Sequence, residues 1–376
     1  MRILIVGAGP AGVTAAITLK RNNPSDEVFV IEHLDEPLKK VLATGNGKCN
    51  LGNKNLDWSR FSHHEFIKKH ISNYSFDEYR KYLDSLNIHT KLIDELLYPI
   101  SESAVTVRDA LLHEAKKLGI IFKVAESIVD YELEEDSIEV KTSKEIYKNV
   151  DRLIITTGAK SSPQLGSDGS IYKILEEHNY EIMELRPGLC PIKVKEKVRV
   201  LDGVRVKANV KLLKNGKEIH SENGEVLFKE KGLSGIVIFN MMSEISRHGD
   251  GEYKIHIDLL PEISAHELEK TCKNWTNDEF LQGYLHPKML KYFKENGFDS
   301  NPIKHLKSLV FAYASPYGFE FSHVSVGGVS LKDIKDNFES RFEPGVYFLG
   351  EVIDLDGPCG GYNLTWIIHT ARNIKM

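Results

Sequence analysis

The first 32 residues contain the feature that most constrains how this chain can fold. A β-branched run at residues 3–6 is followed by the glycine-rich stretch GAGPAG, by helix-forming residues 11–21 and by a second apolar run at 28–31. A strand, a turn, a helix and another strand in this order are typical of a crossover unit. The N-terminal segment therefore predicts a parallel β-sheet covered by helices.

The glycines of this turn have the spacing G-x-G-x-x-G. Gly7 permits a tight turn, Gly9 lets a pyrophosphate approach the main chain, and Gly12 lets the helix lie close to the sheet. Pro10 and Ala11 begin a helix whose N-terminus offers N–H groups and positive potential to an anion. This context favours a dinucleotide site over a purely structural glycine turn.

Glu32 ends the second strand, twenty residues after Gly12, and is followed by His33. A carboxylate at this position accepts hydrogen bonds from ribose hydroxyls and repels a 2′-phosphate. The turn and Glu32 together predict a dinucleotide other than NADP, but they do not separate NAD from FAD.

Glycine turns follow two further predicted strands. Thr157-Gly158 ends one of them, and Gly350-Glu351 ends a late one. In the sequence GPCGGYN, three glycines then precede the last predicted helix, at 364–374. Several glycines in one turn are typical of a backbone that closely approaches a non-protein group. The Thr157-Gly158 turn resembles the corresponding turn of two-dinucleotide flavoproteins, and this resemblance implies that the helix N-terminus stabilises negative charge on the pyrimidine edge of a flavin. An ordinary glycine turn is the alternative for Thr157-Gly158.

Composition excludes several classes of protein. A net charge of −5 and the absence of any Lys/Arg run longer than a pair argue against a nucleic-acid surface. No apolar run approaches the roughly 18–20 residues that span a bilayer, and the N-terminus does not resemble a signal peptide. Four cysteines without a C-x-x-C motif fit a reducing cytoplasm, and no metal site is predicted.

The texture of the sequence changes after Pro187. Short strands punctuated by Asn215-Gly216 and Asn223-Gly224 predict antiparallel hairpins, and residues 264–267 form a capping-box pattern before a helical stretch. We expect an α/β fold: a Rossmann-like FAD-binding domain with an inserted antiparallel β-barrel-like domain and a small helical subdomain. The predicted boundaries are 1–188 plus 326–376, 189–262 plus 303–325, and 263–302.

Four segments carry a resemblance to a known family. They read KKVLATGNGKCNLGN (39–53), TGAKSSPQLGSDGSIY (157–172), GLSGI (232–236) and GEVIDLDGPCGGYNLTWI (350–367). They resemble motifs of bacterial NAD(P)/FAD-dependent oxidoreductases, which include BaiN-type bile-acid enone reductases and aminoacetone oxidases. The resemblance covers nearly the whole chain, and the last motif is very specific.

This resemblance implies FAD in the first domain, with the β domain and its helical insert roofing the flavin ring. It implies that the Ile128 backbone meets the adenine, that Lys40 to Asn50 wrap the ribityl-flavin region and that Glu351 contacts ribityl or phosphate. The predicted cofactor-binding residues are Gly7, Gly9, Pro10, Ala11, Gly12, Glu32, His33, Lys40, Thr44, Gly45, Gly47, Lys48, Cys49, Asn50, Ile128, Thr157, Gly158, Gly350, Glu351, Asp356, Gly361, Tyr362 and Asn363.

The sequence departs from the family pattern at several positions. Leu38 and Asn46 replace glycines, Ile236 replaces a proline and Cys359 a threonine. Arginines of the family are replaced by lysine at two positions, Lys39 and Lys48. These changes are compatible with FAD binding and leave the substrate open.

The resemblance implies reduction of a conjugated enone as the leading reaction, with hydride passing at flavin N5. Because there is no second G-x-G-x-x-G, NAD(P)H would dock transiently as electron donor. Oxygen-dependent oxidation of a small amine is the alternative, and a non-catalytic or tRNA-modifying flavoprotein is a third. We expect a cytoplasmic protein with a small-molecule substrate, without membrane contact and without a nucleic-acid partner.

No catalytic residue is assigned by the sequence. Tyr317 and His323 flank the return from the insert and are only guesses as acids, because a surface loop tyrosine and an ordinary packed histidine explain them better. Cys49 and Cys359 are a candidate redox pair, and small packed side chains are the alternative.

Overall fold

The structure is a computed structural model that describes residues 1–71 and 74–376. The chain forms two compact units. Unit 1 comprises residues 1–186 and 324–376, and unit 2 comprises residues 187–323.

The secondary structure alternates between strands and helices in unit 1 and is richer in strands in unit 2. The strands are β1 (Arg2–Val6), β2 (Glu27–Ile31), β3 (Gly52–Asn53), β4 (Thr90–Ile93), β5 (Leu96–Pro99), β6 (Ile121–Lys123), β7 (Ile128–Leu133), β8 (Ile138–Thr142), β9 (Ile146–Val150), β10 (Arg152–Ile155), β11 (Ile182–Gly188), β12 (Ile192–Val194), β13 (Arg205–Lys214), β14 (Lys217–Lys229), β15 (Gly232–Ser234), β16 (Tyr253–Asp258), β17 (Leu309–Pro316), β18 (Val324–Val329) and β19 (Val346–Phe348). The helices are α1 (Pro10–Asn22), α2 (His64–Ile71), α3 (Phe76–Ser85), α4 (Ala104–Lys117), α5 (Ile171–Glu177), α6 (Ile236–His248), α7 (Ala265–Cys272), α8 (Asn277–Gln282), α9 (Pro287–Glu295), α10 (Pro302–Lys307) and α11 (Tyr362–Arg372).

Unit 1 is built on a parallel sheet with the strand order β19-β10-β1-β2-β6. Its central strands are continuous apolar runs because both faces are covered; Ile3, Leu4 and Ile5 are all fully buried. Smaller sheets are formed by β3-β5-β4, by β7-β8-β9 and by β11-β18. The parallel sheet predicted from the N-terminal segment is confirmed.

Unit 2 is a closed antiparallel barrel with the order β12-β15-β14-β13-β16-β17. Helices α7 to α10 lie between β16 and β17, and the capping box of Ser264 and Glu267 opens α7 as predicted. With the parallel sheet of unit 1, this barrel confirms the predicted fold class.

One of the two predicted hairpins is wrong. Asn215-Gly216 does join β13 to β14, with Lys214 opposite Lys217. Asn223-Gly224, however, lies inside β14, where Gly224 pairs with Ala208. A side chain at Gly224 would approach Val237 of α6 to 3.3 Å, so this glycine makes room for a helix rather than for a turn.

Candidate cofactor site

The turn between β1 and α1 combines two crowded glycines with one open glycine. A Cβ atom on Gly12 would lie 2.1 Å from the Gly7 carbonyl oxygen, and one on Gly7 would lie 2.7 Å from the Thr156 oxygen. Gly9 has a φ of −76°, and among the described residues no neighbouring atom lies within 4 Å of a Cβ built on it. The space in front of Gly9, at the N-terminus of α1, fits a pyrophosphate.

Glu32 is fixed at the end of β2. Its carboxylate accepts the main-chain N–H groups of Ala8 at 2.8 Å and Leu34 at 3.0 Å. The segment that leads into β7 lies next to Glu32, because the Glu126 N–H donates to the Glu32 carbonyl at 2.9 Å. Ile128 follows Glu126 by two residues. His33 Nε2 lies 3.9 Å from the Glu32 carboxylate. The residues predicted for the adenosine end are therefore brought together.

The segment from Lys39 to Cys49 is attached to the same turn. Leu38 N–H donates to the Ala8 carbonyl at 2.9 Å. Leu38 has a φ of +59° and Asn46 one of +54°, both left-handed. The two positions at which the family has glycine thus keep the conformation that glycine favours.

This segment folds back on itself before it reaches β3. Gly45 and Gly47 have positive φ, and Cys49 N–H donates to the Thr44 carbonyl at 3.0 Å. Asn50 Oδ1 accepts the Gly52 N–H at 3.2 Å. The predicted residues from Thr44 to Asn50 therefore form one tight main-chain loop.

Lys40 and Glu351, predicted separately, form an ion pair. Lys40 Nζ lies 3.0 Å from Glu351 Oε2, with both side chains largely buried. Ser161 donates to Glu351 Oε1 at 2.6 Å, and Ser325 N–H donates to the same oxygen at 2.8 Å. Neither serine was predicted as a site residue from the sequence. The polar run after Gly158 could have indicated Ser161, whereas Ser325 lies in a buried strand and leaves no such signal.

The two ends of the chain meet beside this ion pair. A Cβ on Gly350 would lie 3.0 Å from the Ala11 Cβ and 3.9 Å from a side-chain carbon of Ile367 in α11. Thr157 is adjacent as well, because its Cα would be 2.9 Å from a Cβ on Gly7. The glycine turns after β1, β10 and β19 thus converge.

The last glycine turn leads into α11. Gly360 and Gly361 have φ values of +104° and +87°, and a Cβ on Gly361 would lie 2.4 Å from the Gly52 backbone. The Tyr362 hydroxyl accepts the Asp57 N–H at 3.2 Å, and Asp356 is buried. Among residues 1–71 and 74–376, no side chain caps the helix start at Gly361. The first N–H groups of α11 are therefore available to a ligand.

Cys49 is poorly suited to thiol redox chemistry. Cys49 is fully buried, and this burial raises the pKa of its thiol to about 11. The reactive thiolate is therefore scarce at neutral pH. Cys359 is half-buried. This environment favours the packing role for Cys49.

Tyr317 and His323 belong to unit 2. The Lys193 ammonium lies 5.6 Å from the centre of the Tyr317 ring. The His323 ring packs edge-on against Phe239 at 5.1 Å. Their role as acids stays a prediction.

The described part of the chain comprises residues 1–71 and 74–376. No helix there is long and apolar enough to cross a membrane. Within the same residues, no group of three or more His, Cys, Asp or Glu side chains is arranged to hold a metal ion.

Three converging glycine turns on a parallel sheet, with an inserted barrel, define the class as a flavin-dependent oxidoreductase that binds FAD. Residues 1–374 match the family described as HI0933-like protein Rossmann domain, and the chain belongs to this family.

Curated relatives cover the chain almost completely. A 3-dehydro-bile acid delta(4,6)-reductase of Clostridium scindens is 30% identical over 97% of this chain and 96% of that protein. A ribosomal RNA dihydrouridine synthase of Escherichia coli is 25% identical over 98% of this chain and 95% of that protein. A protein of the same description from Haemophilus influenzae is also 25% identical.

Among solved structures, a 3-ketosteroid-delta4-(5alpha)-dehydrogenase from Rhodococcus jostii is similar with a TM-score of 0.51 and 15% identity. That match covers 98% of this chain and 95% of the other. The quinol fumarate reductase subunit FrdA of E. coli also has a TM-score of 0.51, at 12% identity over 99% of this chain and 69% of its own. At these identities the likeness shows the fold alone.

Proposed function

We propose that this protein reduces a carbon–carbon double bond conjugated with a carbonyl group, using FAD that NADH or NADPH reduces. Bound FAD supplies the hydride chemistry at its N5. The observation that carries the proposal is that glycine turns from both ends of the polypeptide converge at the carboxyl ends of β1, β10 and β19. The names of the curated relatives support the reaction: a 3-oxo-4,6-diene and a uridine both present a double bond conjugated with a carbonyl.

The chain's own residues would hold the cofactor along this edge. The α1 N-terminus at Gly9 binds the pyrophosphate, and Glu32 accepts the ribose hydroxyls. The Lys40–Glu351 pair borders the ribityl chain. The free N–H groups at the start of α11 stabilise negative charge on the pyrimidine edge.

Anaerobic stopped flow tests the electron donor. We expect NADH or NADPH to bleach the flavin absorbance and a 3-oxo-Δ4 steroid to restore it. Bleaching by aminoacetone but by neither nicotinamide would overturn the proposal in favour of the amine oxidase. Protein with the Gly9→Val substitution, described below, is the control without flavin.

A uridine in RNA is the second candidate substrate. The sequence-based expectation against a nucleic-acid partner stays a prediction, and a lysine cluster on unit 2 favours RNA. It consists of Lys193, Lys195, Lys197, Lys229 and Lys231.

Two adjacent segments of the barrel form this cluster. Lys193 is opposite Gly232 in the β12–β15 pair, and the Val194 N–H donates to the Lys231 carbonyl at 3.3 Å. Ile192 and Val194 are buried in β12, so Lys193 between them faces the opposite side of the strand. Lys195 and Lys197, which follow the strand, are exposed. Because the lysines alternate with other residues, a search for Lys/Arg runs misses them.

A pair of assays separates the two substrates. Ribosomal RNA transcript incubated with enzyme and NADPH should gain dihydrouridine, measured by mass spectrometry, if RNA is the substrate. Changing Lys195 and Lys197 to glutamate should then weaken RNA binding and reduce its salt dependence. Reduction of the steroid, with no dihydrouridine formed, would leave the small enone as the substrate.

A further inference from the structure

The side chain of Asn363 points back into the turn that precedes α11. Its Oδ1 accepts the Gly357 N–H at 2.9 Å. Its Nδ2 donates to the Gly357 carbonyl at 2.9 Å and to the Pro358 carbonyl at 3.4 Å. One side chain thus holds three main-chain groups at the beginning of the turn.

These contacts fix the orientation of the amide. A flipped amide would direct its oxygen at two carbonyls and its N–H groups at a main-chain N–H. Both amide hydrogens are used within the protein, because a carboxamide has only two to donate. Asn363 therefore has no amide hydrogen left for the flavin.

Other hydrogen bonds hold the two edges of the turn: the Thr365 hydroxyl donates to the Gly361 carbonyl at 2.8 Å, and the Asp356 N–H donates to Ser62 Oγ at 3.1 Å. Gly360 and Gly361 both have positive φ, and glycine gives the chain more conformational freedom than any other residue. Gly361 is held from outside by the Gly52 backbone. The Asn363 amide joins the second residue of α11 to Gly357, at the start of the turn.

We propose that Asn363 is a positioning residue: it fixes residues 357–361 and so directs the first N–H groups of α11 at the cofactor. This inference rests on the proposed function, because it needs FAD beside α11. Gly9 and Glu32 anchor the other end of FAD. Loss of the Asn363 hydrogen bonds should therefore change the reduction potential of the flavin more than it changes the affinity of the protein for FAD.

The test is the flavin reduction potential, measured by equilibration with a reference dye. Asn363→Ala should make reduction about tenfold less favourable, equal to about 30 mV for a two-electron couple. The reduction potential should fall because misaligned N–H groups stabilise the reduced, more negative flavin ring less well. The FAD dissociation constant should change by less than the reduction equilibrium does.

Asn373→Ala is the matched control at the other end of α11. Its amide also donates to a main-chain carbonyl, that of His369 at 2.8 Å. The Asn373→Ala variant should keep the wild-type reduction potential. An equal shift of the potential in both variants would mean that general loosening of α11 is responsible, and this would overturn the inference. Should Asn363→Ala fail to fold, Asn363→Ser, which keeps at most one of the bonds, is expected to show a smaller shift in the same direction.

The outcomes separate this inference from the proposed function. If Asn363→Ala binds FAD with the wild-type potential, while the wild-type enzyme reduces its substrate, the positioning role is wrong and the function stands. If the wild-type protein binds no FAD, both are wrong.

Discussion

Gly7, Gly9 and Gly12 share one turn but have different surroundings. An added methyl group would clash with the fold at Gly7, which faces the main chain of Thr156 and Thr157, and at Gly12, which faces the Gly7 carbonyl and the Thr156 side chain. In the part of the chain that the structure describes, a Cβ on Gly9 would meet no neighbouring atom within 4 Å. A substitution at Gly9 therefore separates folding from cofactor binding.

Gly9→Val should yield folded protein without flavin. The side chain would fill the pyrophosphate position, and the worse helix cap would cost about 1 kcal/mol of stability. Absorbance gives the flavin content and urea denaturation gives the stability. Gly283→Val is the control, since Gly283 is exposed and has a φ of −70°. A yellow Gly9→Val protein would contradict the assigned site.

Ile236 is the first residue of α6, at the position where the related motif has proline. Its side chain is 56% exposed, and the N–H at this helical position has no partner within the helix. Ile236→Pro should raise the free energy of unfolding by about 0.4–1 kcal/mol by restricting the unfolded chain. Urea denaturation measures this change. Met241→Pro, in the middle of the same helix, should destabilise by about 3 kcal/mol or more.

At the scale of elements, periodicity and glycine spacing predicted the parts of the fold that depend on local sequence. The β1–α1–β2 unit, the Asn215-Gly216 hairpin and the capping box at Ser264 were all confirmed. Asn223-Gly224 was misread because its local pattern is that of a turn. The packing of α6 over β14, which decides the outcome, depends on residues distant from it in the sequence.

In the candidate site, too, some features could be predicted from the sequence and others could not. Main-chain features such as Gly7 and Gly361 leave a signal because glycine is needed there. The Lys40–Glu351 pair could not be predicted as a pair, since 311 residues separate its members. The fold alone brings Ser325 to the same carboxylate.

A buried polar cluster joins β7, the end of α5 and the segment before β19. Glu343 accepts the Tyr131 hydroxyl at 2.5 Å, the Tyr180 hydroxyl at 2.6 Å and His178 Nδ1 at 2.8 Å. Asp130 lies 3.1 Å from His178 Nε2. Burial lowers the pKa of His178, but the hydrogen bonds to Glu343 and Asp130 outweigh it, so the pKa is raised above its ordinary value.

This cluster should make unit 1 less stable as the pH rises. A histidine whose pKa is raised in the folded state stabilises that state fully at a pH below its ordinary pKa, near 6.5. This stabilisation is lost as the pH rises above the raised pKa. The stability lost in His178→Gln, measured by urea denaturation, should therefore be larger at pH 6 than at pH 9. An equal loss at both values would contradict a protonated His178.

At the scale of the whole molecule, the chain uses its two ends to build one site. Residues 1–186 and 324–376 form a single compact unit, and the barrel unit is inserted between them. Gly350, near the end of the sequence, touches Ala11, near its beginning. A truncation that removes α11 should therefore abolish flavin binding even though the G-x-G-x-x-G turn remains.

A crystal structure of the purified protein with FAD tests the central claim most directly. We predict one FAD molecule, with its pyrophosphate in front of Gly9 and its pyrimidine edge at the first N–H groups of α11. Flavin bound elsewhere, or touching one of these two turns without the other, would contradict the account.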